Sequence, residues 1–124
     1  MISKLVIGTR GSKLALYQAN LVKSKLETAY PNLEAVINII KTKGDKILDI
    51  ALSKIGDKGF FTKEIQDSLY NKEVDIAVHS LKDLPTKLPK GTQLGAILER
   101  ANHRDVLVSL VGKKLADFTS EDKI

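Results

Sequence analysis

The 124 residues contain no cysteine and no tryptophan, only three prolines, and aromatics make up 5% of the chain. Without cysteine there is neither a disulfide framework nor a thiolate metal site, a pattern that fits a reducing cytoplasm. Scarce aromatics leave few platforms on which the bases of a single strand could stack, which argues against nucleic acid as a partner. No apolar stretch approaches the length of a bilayer crossing, the longest strong run being Val36 to Ile40 with Asn38 inside it. The start, Met1-Ile2-Ser3-Lys4-Leu5, is not read as a signal peptide, because its short apolar run soon meets Arg10. A soluble, cytoplasmic protein is expected.

What is present is ordinary for a globular chain: 43% hydrophobic and 28% charged residues, enough to bury one core. Twenty Lys+Arg against 15 Asp+Glu give a net charge of +5, which steers anions toward the surface. The lysines are scattered rather than clustered. A small polycarboxylate suits this balance as well as a nucleic acid does.

The most informative stretch is Val74-Asp75-Ile76-Ala77-Val78-His79-Ser80-Leu81-Lys82-Asp83-Leu84-Pro85. Val74, Ile76 and Val78 alternate as in a buried strand, and polar residues then gather before a proline. Open α/β sheets place ligands at such strand ends, where the strand holds the following loop at the rim of a crevice. Pro85 disfavours helical geometry at Leu84, so Lys82-Asp83 is expected in a fixed, non-helical turn that can aim a carboxylate. Two solvated turn residues and a half-buried histidine would fit the same spacing.

Around this stretch the chain reads as β-α-β-α-β-β-β, an α/β pattern. Lys4 to Gly8 is a first strand, continuous in Leu5, Val6 and Ile7 as in a strand covered on both faces. Gly8-Thr9-Arg10-Gly11-Ser12 turns the chain, Ser12 caps a helix, and Leu14, Tyr17, Leu21 and Leu26 follow at near-helical spacing until Pro31. Arg10, Ser12 and Gln18 could hold an anion there, Arg10 through a two-bond grip on a carboxylate; equally, Ser12 could merely cap and Gln18 lie on a solvated face. Glu34 to Lys41 is a second strand, and parallel pairing to the first would make a right-handed βαβ unit. From Thr42 to Gly59 the pattern dissolves into a mobile loop with a short helical piece at Ile47 to Leu52. Lys54 and Lys58 in that loop could close over an anion or simply be solvated, and Gly56-Asp57-Lys58-Gly59 lacks the spacing of a phosphate-binding loop. Thr62 to Lys72 reads as a helix packing Phe61, Ile65 and Leu69 inward, and Gln93 to Leu98 and Asp105 to Val111 read as further strands.

His79-Ser80-Leu81-Lys82-Asp83-Leu84-Pro85, taken with Gly8-Thr9-Arg10-Gly11-Ser12-Lys13-Leu14-Ala15-Leu16-Tyr17-Gln18-Ala19, resembles the porphobilinogen deaminase (hydroxymethylbilane synthase) family. Thr42-Lys43-Gly44-Asp45 with Gly56-Asp57-Lys58-Gly59-Phe60-Phe61-Thr62-Lys63-Glu64, and Glu99-Arg100-Ala101-Asn102-His103-Arg104-Asp105, fall in the family's order.

The resemblance implies a three-domain protein of which this is an N-terminal piece. It implies a periplasmic-binding-protein-like (type II) domain, a mostly parallel sheet flanked by helices. Residues 1–98 would form the first domain without its late returning segment, 99–104 a hinge crossover, and 105–124 the opening of the second domain. It further implies an enzyme of tetrapyrrole (heme) biosynthesis, a transferase that joins four porphobilinogen molecules head to tail with loss of ammonia, yielding hydroxymethylbilane. The family builds this product on a dipyrromethane cofactor, held covalently by a cysteine of the third domain. Asp83 matches the family's catalytic aspartate, and Arg10, Ser12, Lys82 and Asp83 its cofactor-binding positions. Arg10, Gln18, Lys54, Lys58, Phe61 and Lys82 match positions near the substrate. Expected partners are small pyrrole polycarboxylates and the remaining domains of one polypeptide, monomeric when whole, with no metal, nucleic acid or membrane. With neither cysteine nor the later domains, the 124 residues alone are expected to be inactive. The competing expectation is a non-catalytic solute-binding module for a small polycarboxylate.

Overall fold

A computed structural model describes residues 3–46 and 59–122. The expected helical piece at Ile47 to Leu52 lies outside the described residues, as do Lys54 and Lys58. The chain divides into two compact units, Met1–Thr92 and Gln93–Ile124.

The first unit is a small α/β structure on a three-stranded, all-parallel sheet. Strand β1 (Lys4–Thr9) lies in the middle, with β2 (Glu34–Ile39) on one side and β3 (Ile76–Ala77) on the other. β1 and β2 run in register from Lys4 opposite Glu34 to Thr9 opposite Ile39, while Ile7 and Gly8 face Ile76 and Ala77 of β3. Main-chain bonds from Asp75 to Val6 and from Val78 to Gly8 extend the β3 contact beyond its two ladder residues. The alternating Val74 to Val78 run thus lies along β1, with strand at Ile76–Ala77 and a bend at Asp75.

Helix α1 (Lys13–Ala29) carries the chain from β1 back to β2. Ser12 caps it as expected, in extended backbone with its Oγ accepting the Ala15 N–H at 3.3 Å. The buried face differs from the expected one. Leu14 and Tyr17 are 56% and 67% exposed, whereas Ala19 is fully buried with Val22 and Leu26 beside it. A small residue at the closest approach lets the helix settle onto Ile7 and Ala35 of the sheet, where a tyrosine would hold it away. Leu5, Ile37, Ile76 and Val78 complete this core.

Helix α2 (Lys43–Lys46) is a single turn where the sequence reads as loop, and α3 (Lys63–Tyr70) lies in the segment from residue 59 onward. α3 packs Ile65 fully inward with Phe61 and Leu69 half-buried, as the four-residue spacing predicts, against β1 and β3. It stops at Tyr70, two residues before the expected end, where Lys72 takes a positive φ of 59°. Gly8 backs directly onto this part of the core: a Cβ there would meet Val74 side-chain atoms at 3.0 and 3.2 Å and Ile40 at 3.3 Å.

The second unit corrects two expectations. Gln93 to Leu98 and Asp105 to Val111 form no strand. A run such as Val106-Leu107-Val108 favours strand only where a neighbour supplies ladder bonds, and among the described residues none pairs with it; Val106 and Val108 stay 81% and 84% exposed. Regular structure among the described residues of this unit is one 3-10 turn, Leu115–Asp117, accompanied by a Lys113–Asp122 ion pair with Lys113 also 5.3 Å from the Phe118 ring centre. No helix among the described residues is long and apolar enough to cross a membrane.

Ile7 has no exposed surface and touches both the helix and the sheet partners of its core. Ile7→Ala is expected to cost about 2–5 kcal/mol through lost burial and the cavity left behind, read as a lowered urea midpoint at unchanged slope. A loss under about 1 kcal/mol would place the core elsewhere.

Candidate functional site

Parallel pairing on both sides of β1 brings three strand ends to one rim. Arg10 and Ser12 follow β1, Thr42 to Asp45 follow β2, and His79 and Ser80 follow β3. A cavity of about 220 Å³ opens there, lined by Arg10, Ser12, Leu14, Ala15 and Phe61 from the early segments and by Val78, His79, Ser80, Lys82 and Asp83 from the later one. A wider groove of about 510 Å³ runs along α1 past Asn20, Lys23, Ser24, Glu27 and Thr28. It is an open helix face whose lysine and glutamate pair with each other at 3.6 Å, so the chemistry concentrates at the rim.

Lys82 and Asp83 sit in a 3-10 turn, Leu81–Asp83, rather than in the non-helical turn expected. Single i→i+3 bonds, Asp83 N–H to Ser80 and Leu84 N–H to Leu81, suffice to form it, and Pro85 ends it as predicted by holding Leu84 extended at φ −78°, ψ 140°. The turn places the exposed Lys82 and the half-buried Asp83 on the wall of the cavity that Arg10 also lines. Cations and a carboxylate thus share one small space.

Arg10 is held from two directions. Its Nε and Nη2 donate to Oδ1 of Asp45 at 3.0 and 2.6 Å, and its guanidinium carbon lies 4.2 Å from the Phe61 ring centre, a cation–π stack. Phe61 in turn meets Phe60 edge-on, with centres 5.2 Å apart at 86°. Gly44 makes this packing feasible, because any Cβ there would run into the Phe61 ring.

The other oxygen of Asp45 accepts from the Thr42 N–H at 3.1 Å and from its hydroxyl at 2.8 Å, while Thr42 Oγ1 accepts the Asp45 N–H at 3.3 Å. This reciprocal pairing is a capping box, which explains why a four-residue turn forms at Lys43–Lys46. Burial alone would raise the Asp45 carboxyl, but the Arg10 hydrogen bond together with those from Thr42 holds it below its ordinary 3.8. Gln18 does not line the cavity; its Oε1 accepts from the Ser80 hydroxyl at 2.9 Å, tying α1 to the end of β3. Ser12 serves as cap and lines the cavity at once.

The structure therefore brings Arg10, Ser12, Phe61, Lys82 and Asp83 together, with Gln18 one bond away. Asp45 and Thr42 are the residues that sequence reasoning did not single out. Their signal was present: Thr42-Lys43-Gly44-Asp45 is the Thr-x-x-acid pattern of a capping box. That the acid also meets Arg10, 35 positions earlier, has no local trace.

Burial pushes the His79 imidazole below its ordinary 6.5; the Asp83 carboxylate pulls the other way, and the Arg10 charge adds to the downward push. Unfolded histidine takes up its proton near pH 6.5 while the folded ring resists it, so stability is highest above that pH and falls as pH drops through the lower folded value. An NMR titration is expected to place the His79 midpoint below 6.5. A midpoint at or above that value would contradict the half-buried neutral ring.

The family model described as "Porphobilinogen deaminase, dipyromethane cofactor binding domain" matches residues 5–124. The chain is 60% identical over 114 residues to a porphobilinogen deaminase of Syntrophomonas wolfei, covering 92% of this chain and 37% of that protein. It is 60% identical over 112 residues to one of Desulfitobacterium hafniense, covering 90% and 36%. Against one of Chlorobium luteolum it is 49% identical over all 124 residues, or 40% of that protein. The chain thus spans well under half the length of these relatives. The family match starts one residue into β1 and takes in every segment of the rim, and on that ground the chain belongs to the porphobilinogen deaminase family.

Proposed function

We propose that the whole protein carrying this chain is a porphobilinogen deaminase (hydroxymethylbilane synthase), a transferase condensing four porphobilinogen molecules with loss of ammonia. The observation that carries the reading is the cavity in which Asp83 faces the same space as Arg10 and Lys82. Each porphobilinogen brings two carboxylates that need cationic partners and a pyrrole N–H that needs an acceptor. The rim supplies both.

Residues 1–98 would be the first domain, of periplasmic-binding-protein-like (type II) form, awaiting a later segment of the chain; 99–104 the hinge crossover; and 105–124 the start of the second domain. The apolar run from Val106 to Val111, exposed and pairing with no strand among the described residues, supports a fold completed by further chain. Small pyrrole polycarboxylates, rather than nucleic acid or membrane, are the proposed partners of a cytoplasmic monomer.

The donor set fits a dipyrromethane: a half-buried carboxylate for pyrrole N–H groups, beside Arg10, Ser12 and Lys82 for acetate and propionate groups. When bound, that cofactor supplies the primer from which the pyrrole chain grows. Its attachment cysteine is not among these 124 residues. Arg10 and Lys82 at the cavity, Gln18 through its bond to Ser80, and Lys54 and Lys58, which lie outside the described residues, are the groups we assign to substrate, with Phe61 packing against Arg10.

Ammonia leaving porphobilinogen creates an electron-poor methylene group on the substrate pyrrole. Asp83, accepting the pyrrole N–H, would stabilise the positive charge as it develops; once the α-carbon of a neighbouring pyrrole forms its C–C bond to that methylene, the same carboxylate would receive the proton that carbon loses as aromaticity returns. His79, neutral at the same wall, adds no competing positive charge.

In the full-length protein Asp83→Asn keeps the shape of the wall and removes its charge. It is expected to lower kcat for porphobilinogen at least ~10²-fold, the scale of losing one electrostatic contributor, while pyrroles still bind. Turnover near the parent's value would refute the role given to Asp83.

A further inference from the structure

We propose that Asp45 is a positioning residue for Arg10, holding one edge of its guanidinium so that the opposite edge faces the cavity. A guanidinium carries five N–H groups in a rigid plane. The edge formed by Nε and Nη2 is taken by Oδ1 of Asp45, at 3.0 and 2.6 Å, and one face of the plane lies against Phe61. With one edge and one face fixed, the plane cannot rotate. The remaining edge, Nη1 with the second Nη2 hydrogen, meets no hydrogen-bond partner among the described residues and belongs to a residue that lines the cavity. That edge has the geometry for a two-bond grip on a carboxylate.

Asp45 is suited to this because both of its oxygens have hydrogen-bond partners. Its second oxygen is engaged by the Thr42 N–H and hydroxyl, and Thr42 is fully buried just past the end of β2. The capping box thus transmits the position of the sheet through α2 to the guanidinium. An acid that took both edges of Arg10, or that lacked its own support, would compete with a ligand. This one uses a single edge and has no need to leave when an anion arrives. The choice of porphobilinogen as the test substrate rests on the proposed deaminase function; the aiming of Arg10 does not.

Two measurements on the full-length protein decide the matter. In Asp45→Asn the KM for porphobilinogen is expected to rise about tenfold with kcat changed less than about twofold, the pattern of lost ground-state binding through a displaced group. Asp45→Glu, which restores the charge, is expected to recover part of that loss. When Arg10 is already Arg10→Lys, adding Asp45→Asn is expected to change KM little further. An unchanged KM with fewer active molecules, or fully additive effects, would reduce Asp45 to a structural ion pair and overturn the proposal.

The second measurement needs no turnover. The Arg10 Nε–H signal in a ¹⁵N-correlated NMR spectrum, assigned by its loss in Arg10→Lys, is expected to stand apart in the parent and to move to the exposed-arginine position in Asp45→Asn. A signal that stays in place overturns the proposal whatever the reaction. Absence of porphobilinogen turnover in the parent would instead sink the functional reading, and the NMR signal would still decide where Arg10 is held.

Discussion

Everything at the rim depends on β1 being paired in parallel on both sides. Because β2 and β3 run the same way as β1, the residues that follow all three strands emerge at one end of the sheet. Arg10, Thr42 and His79 lie far apart in sequence, yet the ladder sets them side by side. The pairing is close because Gly8 offers no side chain where Val74 and Ile40 press against it. It is anchored beneath by Ile7, which fills the space between β1 and the small Ala19 of α1. Core and cavity are thus two ends of one strand.

Electrostatics at the rim follow from what that geometry juxtaposes. One carboxylate, Asp45, has partners on both oxygens and is held charged by Arg10 and Thr42 against the cost of burial. Another, Asp83, lines the cavity with two cations. Their environments differ and so do their roles, the first fixing a cation and the second facing whatever enters. His79 feels the charges of both Asp83 and Arg10, and burial keeps it neutral between those opposing influences. Phe61 contributes a flat surface that keeps the guanidinium plane in one orientation, and Gly44 leaves room for that ring.

The apolar run of the second unit shows how far periodicity carries. Val106, Leu107 and Val108 have the composition of a strand, but a strand exists only as one side of a ladder. No described residue supplies the other side, and the relatives are more than twice as long as this chain. For α1 the departure from expectation has a different origin. Leu14, Tyr17 and Leu26 make an apolar stripe at helical spacing, and so do Ala19, Val22 and Leu26. Helical period alone does not rank them; the close approach that Ala19 permits does.

Much was already determined by the order of residues alone. The βα alternation, the Ser12 cap, the stop before Pro31, the break that Pro85 imposes at Leu84, and the polar cluster after Val78 are all local, set by backbone propensity and nearest neighbours. Kinship was legible for the same reason, as short motifs in a fixed order. The tertiary structure decided what distance in sequence conceals: that Asp45 grips Arg10, that the Ser80 hydroxyl reaches Gln18, and that Phe61 stacks on a residue 51 positions earlier. Those contacts arise from strand register and core packing, which depend on the whole chain at once, and no window along the sequence contains them.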